Sequence, residues 1–139
     1  MALKYLLDTN ILSEPVRKTP DAKVVRHIQE AADEIAIAAT TWHELLFGVF
    51  RMPDSQRRIP LEQYLLDTIC QEIPILPYDA QAAAWFAQER ARLSKTGLPP
   101  SYPDGQIAAV AAANDLILVT RNVSDFVEFS DLKIENWFE

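Results

Sequence analysis

Glycine is scarce in this chain, with 3 in 139 residues. None lies in a loop able to cradle phosphate. Neither G-x-G-x-x-G nor G-x-x-x-x-G-K-[ST] occurs, which removes both common nucleotide-binding fingerprints. Cysteine is rarer still: Cys70 stands alone, so no internal disulfide can form, which suits a reducing cytoplasm. The histidines, His27 and His43, are too far apart for a helical metal pair, and neither shows the partner that a catalytic base needs. No run of about 18 apolar residues occurs, so no membrane span is expected. Met1-Ala2-Leu3-Lys4 leads straight into a strand-like segment, without the basic start and long apolar middle of a signal peptide. Positive charge is also short: 13 Lys and Arg against 20 Asp and Glu give a net charge of -7, with a pI near 4.8. That balance argues against broad, nonspecific nucleic-acid binding. It fits acids gathered around a cation, or a basic partner.

What is present is a globular composition, 49% hydrophobic and 24% charged, with no repeat, low-complexity tract or linker. Residues 1–139 therefore read as one domain with a real core. Lys4-Tyr5-Leu6-Leu7-Asp8-Thr9-Asn10 sets the frame. Its short apolar run predicts a strand buried on both faces, and Asp8 stands where that strand leaves the core. Thr9-Asn10 caps a helical turn over Ile11–Glu14 that Pro15 cuts off. Helices are predicted over Asp21–Glu34, Trp42–Arg51, Leu61–Glu72, Ala80–Ser94 (capped by Asp79) and Gly105–Asn114. Pro53-Asp54-Ser55 separates the second from the third. Strands are predicted over Ile35–Ala38, Ile73–Leu76, Leu116–Val119 and Leu132–Ile134. The alternation implies an α/β fold: a central parallel sheet of four to five strands flanked by helices on both faces.

In such sheets ligands bind outside the carboxyl ends of the strands. Asp8 closes the first strand. Glu44 lies in the first turn of the helix after the second. Asp104 opens the helix before the fourth, and Asn122 and Asp125 follow the fourth. Carboxylates crowded on one edge repel each other unless a cation compensates them. Oxygen donors of this kind suit Mg²⁺ or Mn²⁺. Each acid also has a local reading. Asp8 fits a cap for the next turn, and Thr41-x-x-Glu44 fits a capping box. Asp104, between Pro103 and Gly105, fits an N-cap, and Asp125 fits a cap for the Phe126 turn.

Four stretches carry a resemblance. Leu6-Leu7-Asp8-Thr9-Asn10-Ile11-Leu12-Ser13-Glu14-Pro15 resembles the opening of PIN-domain toxins of the VapC type. Thr41-x-x-Glu44-Leu45-x-x-Gly48 resembles their second acidic motif. Pro103-Asp104-x-x-Ile107-Ala108-Ala109 and Leu118-Val119-Thr120-Arg121-Asn122-x-x-Asp125-Phe126 complete the set in the family's order. The run on to Ser-Glu-Pro is similar to the FitB branch. The resemblance implies a PIN fold with the first strand central, a homodimer and metal-dependent endoribonuclease activity. It assigns Asp8, Glu44 and Asp104 to catalysis and to the metal, Mg²⁺ or Mn²⁺, with Asp125 as a further ligand. Thr9, Asn10 and Thr120 would orient the acids or bound waters. Asn122 departs from the family pattern, where some relatives, the FitB type included, have Asp. It can position a water or a carboxylate but adds no charge, which leaves a second tightly held metal open.

The reaction implied is hydrolysis of RNA by metal-activated water, leaving a 5′ phosphate and a 3′ hydroxyl. Single-stranded loops suit such readout better than duplex. Positive charge for RNA or antitoxin contact must come from outside the pocket: Arg121 beside the site, then Arg17 and Arg51, with Lys18, Arg57 and Arg58 as further candidates. The resemblance also implies a small antitoxin of the VapB or FitA kind whose tail blocks the site, with operator DNA bound only through that complex. Two other readings stay open. One is a non-catalytic PIN-fold subunit of a repressor complex. The other is a phosphatase with Asp8 as nucleophile, although Asn10 stands where such chemistry usually wants a second acid.

Overall fold

The computed structural model describes residues 2–54 and 56–139; Met1 and Ser55, the latter part of the expected break, lie outside them. Five strands run parallel: β1 (Tyr5–Leu7), β2 (Ile35–Ala38), β3 (Ile75–Leu76), β4 (Ile117–Val119) and β5 (Ile134–Glu135). They lie side by side in the order β3-β2-β1-β4-β5, which puts β1 at the centre. Tyr5 pairs with Ile35 on one side and Ile117 on the other. The order reverses at β1, and this is where a parallel sheet opens a crevice at its carboxyl edge. The third strand is shorter than the expected Ile73–Leu76 because Pro74 has no N–H to donate. Its carbonyl still accepts from the Ile37 N–H at 3.0 Å.

Helices cover both faces: α1 (Thr9–Leu12), α2 (Ala22–Glu30), α3 (Ala39–Phe50), α4 (Arg58–Gln63), α5 (Cys70–Glu72), α6 (Ala80–Lys95) and α7 (Tyr102–Ala113). Successive strand residues point to opposite faces, and the two cores follow from that. Leu6, Ala36 and Leu118 face α6 and α7, where Phe86, Leu93, Ile107 and Val110 are buried. Leu7, Ile37 and Val119 face the other way, onto Ile11, Val24, Leu45 and Ile69. Between α4 and α5 the backbone of Tyr64–Ile69 winds as a π-helix, so the expected Leu61–Glu72 helix is irregular within.

Several helix starts differ from expectation. Asp8, not Thr9 or Asn10, caps α1, and Pro15 belongs to a separate 3-10 turn, Glu14–Val16. The first long helix ends at Glu30, not Glu34, because the Ala31 backbone leaves the helical region. The helix after β2 begins at Ala39, directly off the strand, with no side-chain cap. The last long helix begins three residues before Gly105. Ser101 caps it and Pro103 sits in its first turn, where a missing N–H costs nothing. Gly105 lets α7 approach α6: a Cβ there would run into the Phe86 ring.

Candidate active site

The carboxyl edge of the sheet gathers acids from four separate stretches. Asp8 leaves β1 and is 7% exposed. One of its oxygens accepts from the Thr9 N–H at 2.8 Å. The other accepts from the Thr120 hydroxyl at 2.8 Å, and more loosely from the Asn10 amide at 3.5 Å. Asp8 therefore caps α1 and faces the site at once. Thr120, fully buried at the end of β4, receives the Asn122 N–H at 3.0 Å on the same hydroxyl. It is the backbone of Asn122 that engages, a link from the β4 loop through Thr120 to Asp8.

Glu44 stands in the second turn of α3, not the first, because the helix starts at Ala39. The expected capping box does not form. Thr41 lies inside the helix, and its hydroxyl is the one buried side-chain polar atom without a partner among the described residues. Glu44 turns away from its own helix start and accepts from the Thr9 hydroxyl at 3.2 Å. Thr9 thus joins the first two acids, with its N–H on Asp8 and its hydroxyl on Glu44. Asp104 is not the cap of α7. It lies in the first turn, and its N–H donates to the Ser101 hydroxyl at 3.3 Å. Ser101 was missed in the sequence, although Ser101-x-x-Asp104 has capping-box spacing. Asp125 closes the 3-10 turn Val123–Asp125, its N–H on the Asn122 carbonyl at 3.0 Å. It shares with Asp104 and Ser101 a cavity of about 220 Å³.

Burial and neighbouring charge act on all three acids. Burial pushes the Asp8 carboxyl up; its hydrogen bonds from Thr120 and Thr9 oppose this, and the charge of Asp125 adds to it. Burial also raises Glu44, opposed by Thr9 and by the charge of His43 and reinforced by the charges of Asp8 and Asp104. Asp104 is raised by burial, held back by Ser101, and raised further by Asp125 and Asp8. No Lys or Arg among the described residues forms an ion pair with any of these acids.

The sequence model of the PIN domain matches residues 5–131. This chain belongs to the PIN-domain family. It is 31% identical over 135 residues to the tRNA(fMet)-specific endonuclease VapC of Shigella flexneri, covering 97% of this chain and 98% of the relative. The PIN fold superposes on the crystal structure of FitAcB from Neisseria gonorrhoeae with a TM-score of 0.89 at 31% identity, over 97% of this chain and 99% of the other. A second match is VapBC2 from Rickettsia felis bound to a DNA fragment from its promoter, with a TM-score of 0.81 at 29% identity, over 99% of each chain.

The basic residues expected to contact RNA or antitoxin are engaged in different ways. The Arg121 N–H donates to the Asn10 side-chain carbonyl at 3.1 Å, while its guanidinium stacks 4.4 Å from the Phe138 ring centre. Arg17 pairs with buried Glu14 at 3.2 Å. Arg51 lies 5.4 Å from the centre of the Phe47 ring. A second cavity, about 270 Å³ and mostly apolar, lies between α1, α3 and α4. Thr9 and Glu44 form one wall, with Leu45, Val49, Met52, Leu61 and Tyr64 among the others.

The donor set is all hard oxygen and carries uncompensated charge, which fits Mg²⁺ or Mn²⁺ in kind. It is not a closed cage: among the described residues no three His, Cys, Asp or Glu side chains form a ready metal-holding group. No helix among the described residues is long and apolar enough to cross a membrane.

Proposed function

We propose that this chain is a VapC-type endoribonuclease that uses Mg²⁺ or Mn²⁺ and is restrained by a small antitoxin. The observation that carries the reading is that Asp8, Glu44 and Asp104, gathered at one sheet edge, are all raised. Three acids from distant stretches are each raised first by burial and then by a neighbouring carboxylate, Asp125 at Asp8, Asp8 and Asp104 at Glu44, and Asp125 and Asp8 at Asp104, with no Lys or Arg paired to any of them. Such an arrangement is costly for the fold alone. A bound divalent ion would supply charge compensation at the scissile phosphate and an acidified water. Asp8, Glu44 and Asp104 would hold it, with Asp125 at the rim. Thr9 and Thr120 fix the carboxylate oxygens they bond, so the acids meet the substrate already oriented. The endonuclease name carried by the Shigella relative supports RNA, and tRNA in particular, as the substrate class.

An antitoxin fits the same edge. A segment with an apolar anchor followed by a basic residue would fill the apolar cavity beside Glu44 and neutralise the acids. The Rickettsia complex on promoter DNA supports operator binding through the pair, and a homodimer of this chain would match a two-fold operator. The deciding experiment is cleavage of structured RNAs by the partner-free chain with Mg²⁺ or Mn²⁺, wild type against Asp8→Asn. The wild type should cut and Asp8→Asn should lose the activity. Equal cutting by both overturns the assignment, and silence of both favours a non-catalytic subunit of the repressor complex.

A further inference from the structure

Beside the acidic rim, the starts of α3 and α7 meet around a cavity of about 320 Å³ lined by Ala39, Thr40, His43, Glu44, Pro103 and Gln106. Each helix carries one rim acid: Glu44 on α3, and Asp104, next to Pro103, on α7. Both are half-buried and alike in charge, so without a cation they push the two helix starts apart. One side-chain bond opposes this. The Thr40 hydroxyl donates to the Gln106 side-chain oxygen at 2.9 Å, across 66 residues of sequence. The bond stands with the amide turned either way, because a hydroxyl both donates and accepts. It is the one side-chain hydrogen bond between α3 and α7 among the described residues. The start of α7 is held by the Ser101 cap, whereas no side chain caps α3. The neighbouring Thr41 hydroxyl is buried without a partner. Thr40 therefore supplies the side-chain hydrogen bond that fastens the first turn of α3.

We propose that Thr40 and Gln106 are a positioning pair: their bond holds α3 and α7 at the separation that lets Glu44 and Asp104 share one divalent ion. The proposal rests on the metal-dependent nuclease reading above and adds residues that touch neither ion nor RNA. Thr40 and Glu44 are four residues apart on α3, one turn along the same face. Gln106 stands two residues beyond Asp104, about 3 Å along the axis of α7. A shift of either helix at the tie therefore carries an acid with it. Thr9 fixes the Glu44 carboxylate from the side of β1. The tie fixes the helix beneath it from the side of α7. Holding like charges together before the ion arrives moves that cost from the binding step into folding, and the ion then binds more tightly.

The test has two arms on the full chain. In the first, Mn²⁺ binding to the partner-free protein is followed by the electron paramagnetic resonance signal of the free ion. Thr40→Val keeps the shape of the side chain and removes the hydroxyl; Gln106→Leu removes the amide. Each should weaken Mn²⁺ binding by roughly tenfold. The combined variant should lose no more than either one alone, because both break the same bond. Thr40→Ser, which keeps the hydroxyl, should bind as the wild type does. Unchanged affinity in both single variants, losses that multiply in the combined one, or an equal loss in Thr40→Ser overturns the pair. The second arm needs no metal. Crystal structures of the metal-free wild type and Thr40→Val are compared for the distance between the Glu44 and Asp104 carboxyl carbons. It should widen in the variant even if the wild type binds no Mn²⁺, in which case only the nuclease reading falls. An unchanged distance overturns the pair whatever the metal result.

Discussion

Two groups of sheltered acid in this molecule have opposite surroundings. Glu89, on α6, is 7% exposed. Its oxygens accept from the Arg92 guanidinium at 2.9 and 3.2 Å and from the Ser130 N–H at 2.6 Å. Arg92 goes on to donate to the Glu128 carbonyl at 2.8 Å. The bond from Arg92 holds the Glu89 carboxyl below its ordinary range. At the sheet edge, Asp8, Glu44 and Asp104 have hydroxyl and N–H donors but no guanidinium, and all three are raised. A buried carboxylate with its own cation is a fastening between helix and loop. Carboxylates that are buried or half-buried without one leave their charge for something outside the chain to meet. The contrast sets Glu89, fastened by its own cation, apart from the acids proposed for the site without reference to any relative.

The largest expected break in that contrast is on activity. Asp104→Asn should lower RNA cleavage by roughly a hundredfold or more, while the melting temperature holds or rises because one repelling charge is gone. Retained cleavage, or an unfolded variant, would undo the assignment of Asp104. Glu89→Ala should do the reverse. It strands the Ser130 N–H and the Arg92 bond, so stability should drop by about 1–3 kcal/mol, with cleavage per folded molecule unchanged. A Glu89→Ala protein as stable as the parent in urea would mean that this acid fastens nothing.

Metal addition should sharpen the contrast further. Mg²⁺ at about ten times its dissociation constant stabilises by about 1.4 kcal/mol if only the folded state binds it. The melting temperature of the wild type should rise, and that of a combined Asp8→Asn and Asp104→Asn variant should not. The same rise in both would place the ion elsewhere.

The smallest expected effect is in pH. The three rim acids bind protons more readily when folded, so their charge burdens the fold at neutral pH. That burden fades as pH drops from above their raised values to their ordinary range near 4. Glu89, depressed by its partner, contributes in full above its ordinary value and loses that contribution as pH falls toward its folded one. Metal-free protein should therefore gain stability on mild acidification before losing it at lower pH. The gain should shrink in the Asp8→Asn and Asp104→Asn variant, which keeps only Glu44, when denaturant midpoints are followed across pH. A flat or steadily falling wild-type profile would show that the rim carries no such burden.

The sheet was legible because its central strands are short apolar runs between polar or helical stretches, and a run of that kind has few alternatives. Tyr5–Leu7 and Ile35–Ala38 illustrate it. Helix starts were legible only in part, because several residues near each start can serve as the cap. Asp104 competed with Ser101, and Thr41 with an uncapped entry at Ala39; in both cases the chain begins its helix earlier. Glu44 shows the limit most clearly. Its spacing from Thr41 offered a local partner, yet the bond went to Thr9, 35 residues away. Nothing in the local spacing marks that choice; it follows from β1 and β2 being neighbours. The pairing of Thr40 with Gln106 was equally out of reach, since it joins two helices whose separation only the folded sheet sets.

Gly105 follows Asp104 directly and has no room for a methyl group against Phe86. The seat of one acid is thereby tied to the tightest spot between two helices. A substitution there touches neither RNA nor ion, yet it would shift the helix end that carries the carboxylate. Weakened forms of this protein should arise at that position as readily as at the acids themselves, and screens for harmless variants would find a glycine where they expected only charge.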